Sequence, residues 1–248
     1  MILSEIDGPV GRITLDRPEA HNALDQAAMR TLTGLLADWT ERPEIRALVL
    51  TGRGRSFCAG AALGDVAGAD WTDNPLTALC DALEAFPAPT TAALNGGAYG
   101  GGVELALACD FRVGVAGMRA FAPPARLGIH YDPAGIRRAI ERLGAQTARR
   151  MFLLAETFDA ETLRAIGFLD HLVAPEDLAA RADEIAAAAA AMAPLAVRGM
   201  KRTILELSRG ALDAEAARER IRACFASADH AEGLAAHREK RPPRFEGR

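Results

Sequence analysis

The sequence has no run of about 18 apolar residues, the length a membrane-spanning helix needs. Its most apolar stretch, the alanine-rich 186–193, is flanked by Asp183, Glu184 and Arg198, so a soluble helix is expected there. Net charge is also scarce: 29 Lys and Arg against 33 Asp and Glu leave −4, which supplies no basic field for nucleic acid or an anionic membrane. Where arginines cluster, acids interleave with them, as in Arg218–Glu219–Arg220, the pattern of a solvated helix face. The four cysteines, Cys58, Cys80, Cys109 and Cys224, form no C-x-x-C pair, so reduced, mostly buried thiols are expected. Five scattered histidines make no H-x-x-x-H pair, and no metal site is expected. Met1 leads into a strand-like stretch rather than a basic and then apolar leader, which makes the cytoplasm the expected compartment.

The 248 residues, 50% apolar and 25% charged, suit one α/β unit with a large core. Strand signals at Ile2–Ile6 and Val10–Leu15 flank a turn at Asp7–Gly8–Pro9. A helix is expected from about Asp25 to Arg42, because Met29, Leu32, Leu35, Leu36 and Trp39 fall at helical spacing. Further strands are expected at Ile45–Leu50, Thr90–Leu94 and Phe111–Val115, with helices at Pro75–Phe86 and Val103–Cys109 between them. Repeated strand–helix–strand units with apolar strands indicate an α/β core. From Ala134 onward the pattern is helical apart from a strand candidate at His171–Ala174, and Pro175 and Pro194 are placed to open helices.

Two glycine-rich loops follow separate strands: Gly52-Arg-Gly-Arg-Ser-Phe-Cys-Ala-Gly-Ala-Ala-Leu63 and Asn95-Gly-Gly-Ala-Tyr-Gly-Gly-Gly-Val-Glu-Leu105. Neither contains the Gly-Lys-Ser/Thr of a P-loop or the glycine spacing of a dinucleotide fingerprint. Glycine also lets a ligand approach the main chain closely. If the loops meet, and the second opens a helix, their N–H groups can converge on one oxygen as an oxyanion hole, suited to a thioester carbonyl that becomes an enolate. Tight turns alone are the other reading of the same glycines.

Four segments carry a family resemblance. Leu15-Asp-Arg-Pro-Glu-Ala-His-Asn-Ala-Leu24 resembles L-N-R-P-E-x-x-N-A-L, and Ser56-Phe-Cys-Ala-Gly-Ala-Ala-Leu63 resembles F-C-A-G-A-D-L. Asn95–Asp110 resembles N-G-x-x-x-G-G-G-x-E-L-A-L-A-C-D, and Gly233–Pro243 resembles G-x-x-A-F-x-E-K-R-x-P. Together they resemble the enoyl-CoA hydratase/isomerase (crotonase) family over nearly the whole chain. The resemblance implies an α/β spiral of ββα units over residues 1–190, continuous with a helical trimerisation region at 191–248. It implies a homotrimer or a hexamer built as a dimer of trimers, and an acyl-CoA substrate with no further cofactor. It assigns the oxyanion amides to Ala61 and Gly101. The coenzyme would lie against Ala20, Ala59, Ala61, Ala62, Leu63, Gly100 and Gly101, with Lys240 reaching a neighbour's CoA phosphate.

Glu104 matches the first catalytic glutamate of the hydratases, in the first turn of the helix that supplies Gly101; a carboxylate complementing the helix dipole is the alternative. The second glutamate, expected in F-G-x-P-E-x-x-x-G, is missing from Phe121-Ala-Pro-Pro-Ala-Arg-Leu-Gly128, where Pro124 takes its place. Asp132 occupies the position of an acidic catalytic residue in enoyl-CoA isomerases, and Tyr131 that of a tyrosine in decarboxylase members. Asp132 before Pro133 also reads as a helix N-cap, and Tyr131 as a wall of the acyl pocket. His130 reads as a packing or surface residue. Hydratase-type lyase chemistry is the leading expectation. Isomerisation, decarboxylation and non-catalytic CoA binding remain open alternatives.

Overall fold

The computed structural model describes residues 2–62 and 73–248. Gly8, at φ +54°, turns β1 (Ile2–Asp7) into β2 (Val10–Leu15), an antiparallel hairpin in the register Asp7↔Val10. The chain then leaves the sheet through a short 3-10 turn, Pro18–Ala20, and enters α1 (Gln26–Thr40). Asp25 caps α1 by accepting the Ala28 N–H at 2.8 Å. The predicted stripe holds: Met29, Leu32, Leu36 and Trp39 are buried and Leu35 is half-buried. Gly11 in β2 admits the Trp39 ring, since a Cβ there would lie 2.6 Å from it.

Thereafter the chain repeats one move. β3 (Ala47–Gly52), β5 (Thr90–Leu94), β7 (Phe111–Val115) and, later in the chain, β10 (His171–Val173) join a six-stranded sheet in the order β1-β2-β3-β5-β7-β10, parallel apart from the first hairpin. Each of β3, β5 and β7 is followed by a short strand of a second sheet: β4 (Ser56–Cys58), β6 (Gly97–Tyr99) and β8 (Arg119–Phe121), with β9 (Phe158–Asp159) at its edge. Helices α2 (Pro75–Ala85), α3 (Gly101–Ala108) and α4 (Pro133–Leu153) complete the units. This is the expected α/β spiral of ββα units. The strand expected at Ile45–Leu50 is shifted to Ala47–Gly52, with Ile45 buried just ahead of it. The helix expected from Val103 begins two residues earlier. The helix opening at Pro133 runs on to Leu153, broken at Gly144 with φ +79°.

After α5 (Ala160–Ala165) and β10 (His171–Val173), α6 (Leu178–Ala190) lies across β3, β5 and β7. Its alanines make the close approach possible: Ala182, Ala186 and Ala190 are buried at four-residue spacing. The C-terminal layer comprises α7 (Pro194–Ser208), α8 (Ala214–Ala226) and α9 (Ala228–Glu239). Helix α7 touches the core through α2 and packs along α8. Among the described residues, no helix is long and apolar enough to cross a membrane.

Candidate active site

The two glycine-rich loops meet. Gly60, at φ +80°, follows β4, and a Cβ on it would lie 2.5 Å from the Gly101 nitrogen and 2.8 Å from the Tyr99 carbonyl oxygen. Gly102 is as tight, since its Cβ would fall 2.2 Å from the Cys58 oxygen. Glycine at both positions lets the N-terminus of α3 lie flush against the β4 loop. The Leu24 N–H donates to the Gly60 carbonyl at 2.8 Å and the Ala62 N–H to the Leu24 carbonyl at 2.9 Å. In this parallel bridge between Leu24 and Ala61, the Ala61 N–H points away from the ladder. The Gly101 N–H is likewise one of the first-turn groups of α3 that no helical carbonyl reaches.

Two asparagines of the motif segments hold the first loop. Asn22, 1% exposed and left-handed at φ +57°, accepts from the Arg17 N–H and donates to the carbonyls of Arg53 and Ser56. Asn95 accepts from the Gly52 N–H and donates to the carbonyls of Gly54 and Ser56. The motif asparagines are thus buckles for the backbone between β3 and β4, a role that spacing alone does not reveal.

Glu104 lies in the first turn of α3 and is 3% exposed. Its Oε2 accepts the Tyr131 hydroxyl at 2.8 Å, and its Oε1 pairs with the Arg138 guanidinium. Gly135 makes room for this contact, because a Cβ there would sit 2.4 Å from the Tyr131 ring and 2.7 Å from Glu104 Oε2. Burial pushes the Glu104 carboxyl above its ordinary value, and Arg138 with the Tyr131 hydroxyl offsets only part of that. Burial and the nearby Glu104 charge push the Tyr131 phenol well up, so it stays protonated and donates.

Of the remaining candidates, Asp132 is the N-cap of α4, accepting from the Ala134 N–H at 2.8 Å, with Asn74 Nδ2 at 3.4 Å. Ala20, Ala59, Ala61, Ala62 and Gly100 are half-buried on the segments around the two loops. Leu63 lies outside the described residues. Lys240 is exposed at the C-terminal end of α9, in the C-terminal layer. His130 is exposed, its Nδ1 2.8 Å from the Tyr131 carbonyl oxygen. Pro124, where a second glutamate would stand, is buried in a 3-10 turn.

Sequence reasoning missed Arg138, which is wholly buried. It pairs with Glu104 and Asp81 and lies 3.0 Å, through Nε, from Glu84 Oε2. The available signal was its place on the face of α4 shared by buried Gly135 and Ala139.

A sequence profile of the enoyl-CoA hydratase/isomerase family matches residues 5–248. A protein named "Probable enoyl-CoA hydratase" from Mycobacterium tuberculosis is 37% identical over 238 residues, 95% of either chain. The 2,3-dehydroadipyl-CoA hydratase of Escherichia coli is 35% identical over 242 residues, covering 95% of this chain and 94% of its own. The crystal structure of an enoyl-CoA hydratase from Bacillus anthracis superimposes with a TM-score of 0.91 at 29% identity, over 100% of this chain and 99% of that one. Fold and comparisons together define an acyl-CoA enzyme of the hydratase type. The chain belongs to the enoyl-CoA hydratase/isomerase family.

Proposed function

We propose that the enzyme adds water across the double bond of an enoyl-CoA thioester. The amides of Ala61 and Gly101 receive the thioester carbonyl oxygen and stabilise the enolate. Glu104 accepts a proton from water as the water oxygen attacks the β-carbon. With proline at position 124, the same carboxyl returns that proton to the α-carbon, so one group serves both transfers. Tyr131 holds Glu104 Oε2 and steadies its charge through the cycle. The observation that carries this reading is the buried Glu104 carboxylate in the first turn of the helix that abuts Gly60.

The half-buried segment around Ala20 and the Ala59–Ala62 loop line the approach for the coenzyme. Leu63 and Lys240 complete the set on the strength of the motif match alone. The enzyme works in the cytoplasm as a trimer or a dimer of trimers through the helices of 191–248. Support for the assembly comes from the apolar side chains that α7 and α8 leave exposed.

Incubation with a panel of acyl-CoAs, read by product mass, tests the reaction. Gain of one water is the expected result. An isomer of unchanged mass, or loss of carbon dioxide, would replace hydration by the corresponding single-group chemistry. Glu104→Gln is expected to lower turnover about 10²- to 10⁴-fold with CoA binding retained, and full turnover in that variant would overturn the assignment of Glu104.

A further inference from the structure

The Arg138 guanidinium stands at the centre of an ionic cluster built from three helices. On α2, Asp81 and Glu84 both face it, and on α3 Glu104 pairs with it. The same two carboxylates of α2 also receive Arg209, just past the end of α7, at 3.4 Å from Asp81 and 2.6 Å from Glu84. Arg137 bridges Glu84 at 3.1 Å and Glu141 at 2.6 Å. Three guanidinium groups, Arg137, Arg138 and Arg209, thus face four carboxylates, Asp81, Glu84, Glu104 and Glu141. Among the described residues the cluster is one positive charge short, and Glu104 is the member whose second oxygen accepts the Tyr131 hydroxyl.

We propose that Arg138 is the positioning residue of Glu104 and that Asp81, Glu84 and Arg209 set how strongly it holds, so that the C-terminal helix α7 is linked electrostatically to the acid/base carboxylate. The inference rests on the assignment of Glu104 as the proton-transfer group. By pairing with Oε1, Arg138 fixes the carboxylate in one rotamer and leaves Oε2 to the Tyr131 hydroxyl. Every charge that Asp81 and Glu84 place on Arg138 competes with Glu104 for it. Arg209 neutralises part of that competition and leaves Arg138 freer for Glu104.

Arg138, Tyr131, Asp132 and Cys80 bear on Glu104 directly, and the other groups of the cluster act through the arginines and Glu84. Cys80, Asp81 and Glu84 approach from α2, Tyr131, Asp132, Arg137, Arg138 and Glu141 from α4 and its lead-in, and Arg209 from α7. Cys58 on β4 and Cys109 just past the end of α3 are buried thiols, each pushed up to about 12 and so uncharged at neutral pH. They do not compete for Arg138.

Two half-exposed residues make the test mild, because neither touches Glu104. Removing the positive charge in Arg209→Gln should move the acidic limb of kcat/KM to higher pH. Removing a negative charge in Asp81→Asn should move it to lower pH. Shifts of a few tenths of a pH unit up to about one unit are expected for these indirect charges, with KM nearly constant. Arg138→Gln should lower kcat about tenfold or more while KM holds, and Arg138→Lys should restore part of it. Loss of packing alone would lower thermal stability in both mild variants without moving the limb in opposite directions. An unmoved limb in Arg209→Gln and Asp81→Asn, with Glu104→Gln inactive, overturns the link whether or not the Arg138 variants fold. Full turnover in Glu104→Gln would instead remove the assignment on which the link stands.

Discussion

The Tyr131 hydroxyl donates a 2.8 Å hydrogen bond to Glu104 Oε2 across the seam between α3 and α4. A hydrogen bond to a charged acceptor is worth about 1.5–3 kcal/mol. Tyr131→Phe keeps the ring contact with Phe152, whose centroid is 5.0 Å away, and removes only that bond. We expect a roughly tenfold loss of kcat and an acidic limb of the rate profile displaced to higher pH, because the carboxylate loses a donor. Steady-state kinetics across pH check both effects. A loss as deep as that of Glu104→Gln would make Tyr131 itself the proton-transfer group.

Asp132 is expected to be structural. It accepts the Ala134 N–H at 2.8 Å as the N-cap of α4, and asparagine caps nearly as well as aspartate. Asp132→Asn should therefore leave turnover and thermal stability close to those of the unmodified enzyme. Asp132→Ala should lower stability by about 1 kcal/mol with kcat retained. Denaturant titration beside kinetics separates these outcomes. A kcat loss of about 10²-fold or more in Asp132→Asn would restore the acid/base reading of this residue.

Gly60 and Gly117 offer a matched pair of substitutions. Their φ angles are +80° and +81°, so alanine suffers the same backbone strain at either, about 1–2 kcal/mol. They differ in what a Cβ meets among the described residues: the Gly101 nitrogen at 2.5 Å for Gly60, and nothing within 4 Å for Gly117. Gly60→Ala must push the β4 loop off the N-terminus of α3, and turnover should collapse. Gly117→Ala should lower the melting temperature and leave kcat/KM intact. Equal kinetics in both variants would show that the contact of the two loops is not needed for catalysis.

The parts of this site that were legible in the sequence are those with local signatures. The glycines at 60 and 102 mark close backbone approaches, Glu104 follows Gly102 on the same helix, and the stripe of α1 has a period of its own. The second sheet was not legible. Its strand β6 is Gly97–Tyr99, three residues inside a glycine-rich run, and β4 is three residues in the other loop. Strands that short carry no alternation, and their partners lie roughly 20 to 40 positions away along the chain. The place of Arg138 was hidden for a different reason. An arginine on a helix rich in arginine reads as solvated, and only the carboxylates brought by α2 and α3 make its burial tolerable.

Glu84 and Glu104 lean on the same arginine, yet their pH dependences have opposite signs. Burial raises the Glu84 carboxyl, but Arg138, Arg209 and Arg137 outweigh it and hold Glu84 below its ordinary value. A depressed folded-state value stabilises above the unfolded one, and the contribution is lost as pH falls through the depressed value. Glu104 is raised, so its contribution is present in acid and is lost as pH rises through the raised value. Thermal unfolding should thus show stability falling below the ordinary glutamate range and also eroding just above it. Glu104→Gln should remove the upper erosion and keep the acid loss. A variant with an unchanged profile would contradict this account of the cluster.

Met200, Ile204 and Leu207 fall at i, i+4 and i+7 on α7, and Ile221 and Phe225 at i and i+4 on α8. Ile204 is 63% exposed and Phe225 68% exposed in the single chain. The two helices pack side by side, so an oligomer contact that covers both would bury these side chains together. Burying one such side chain is worth about 1.5–3 kcal/mol, and a repeated contact of this kind supports a closed, symmetric oligomer. Light scattering at micromolar concentration is expected to give the mass of a trimer or of two trimers. Ile204→Glu combined with Phe225→Glu should yield smaller species, because each carboxylate would have to be buried without a partner. Arg209 lies two residues past Leu207 at the end of α7, so dissociation should also disturb the cluster at Asp81 and Glu84 and reduce turnover. A stable monomer for the unmodified chain would overturn the assembly, and full activity in a dissociated variant would uncouple it from the site.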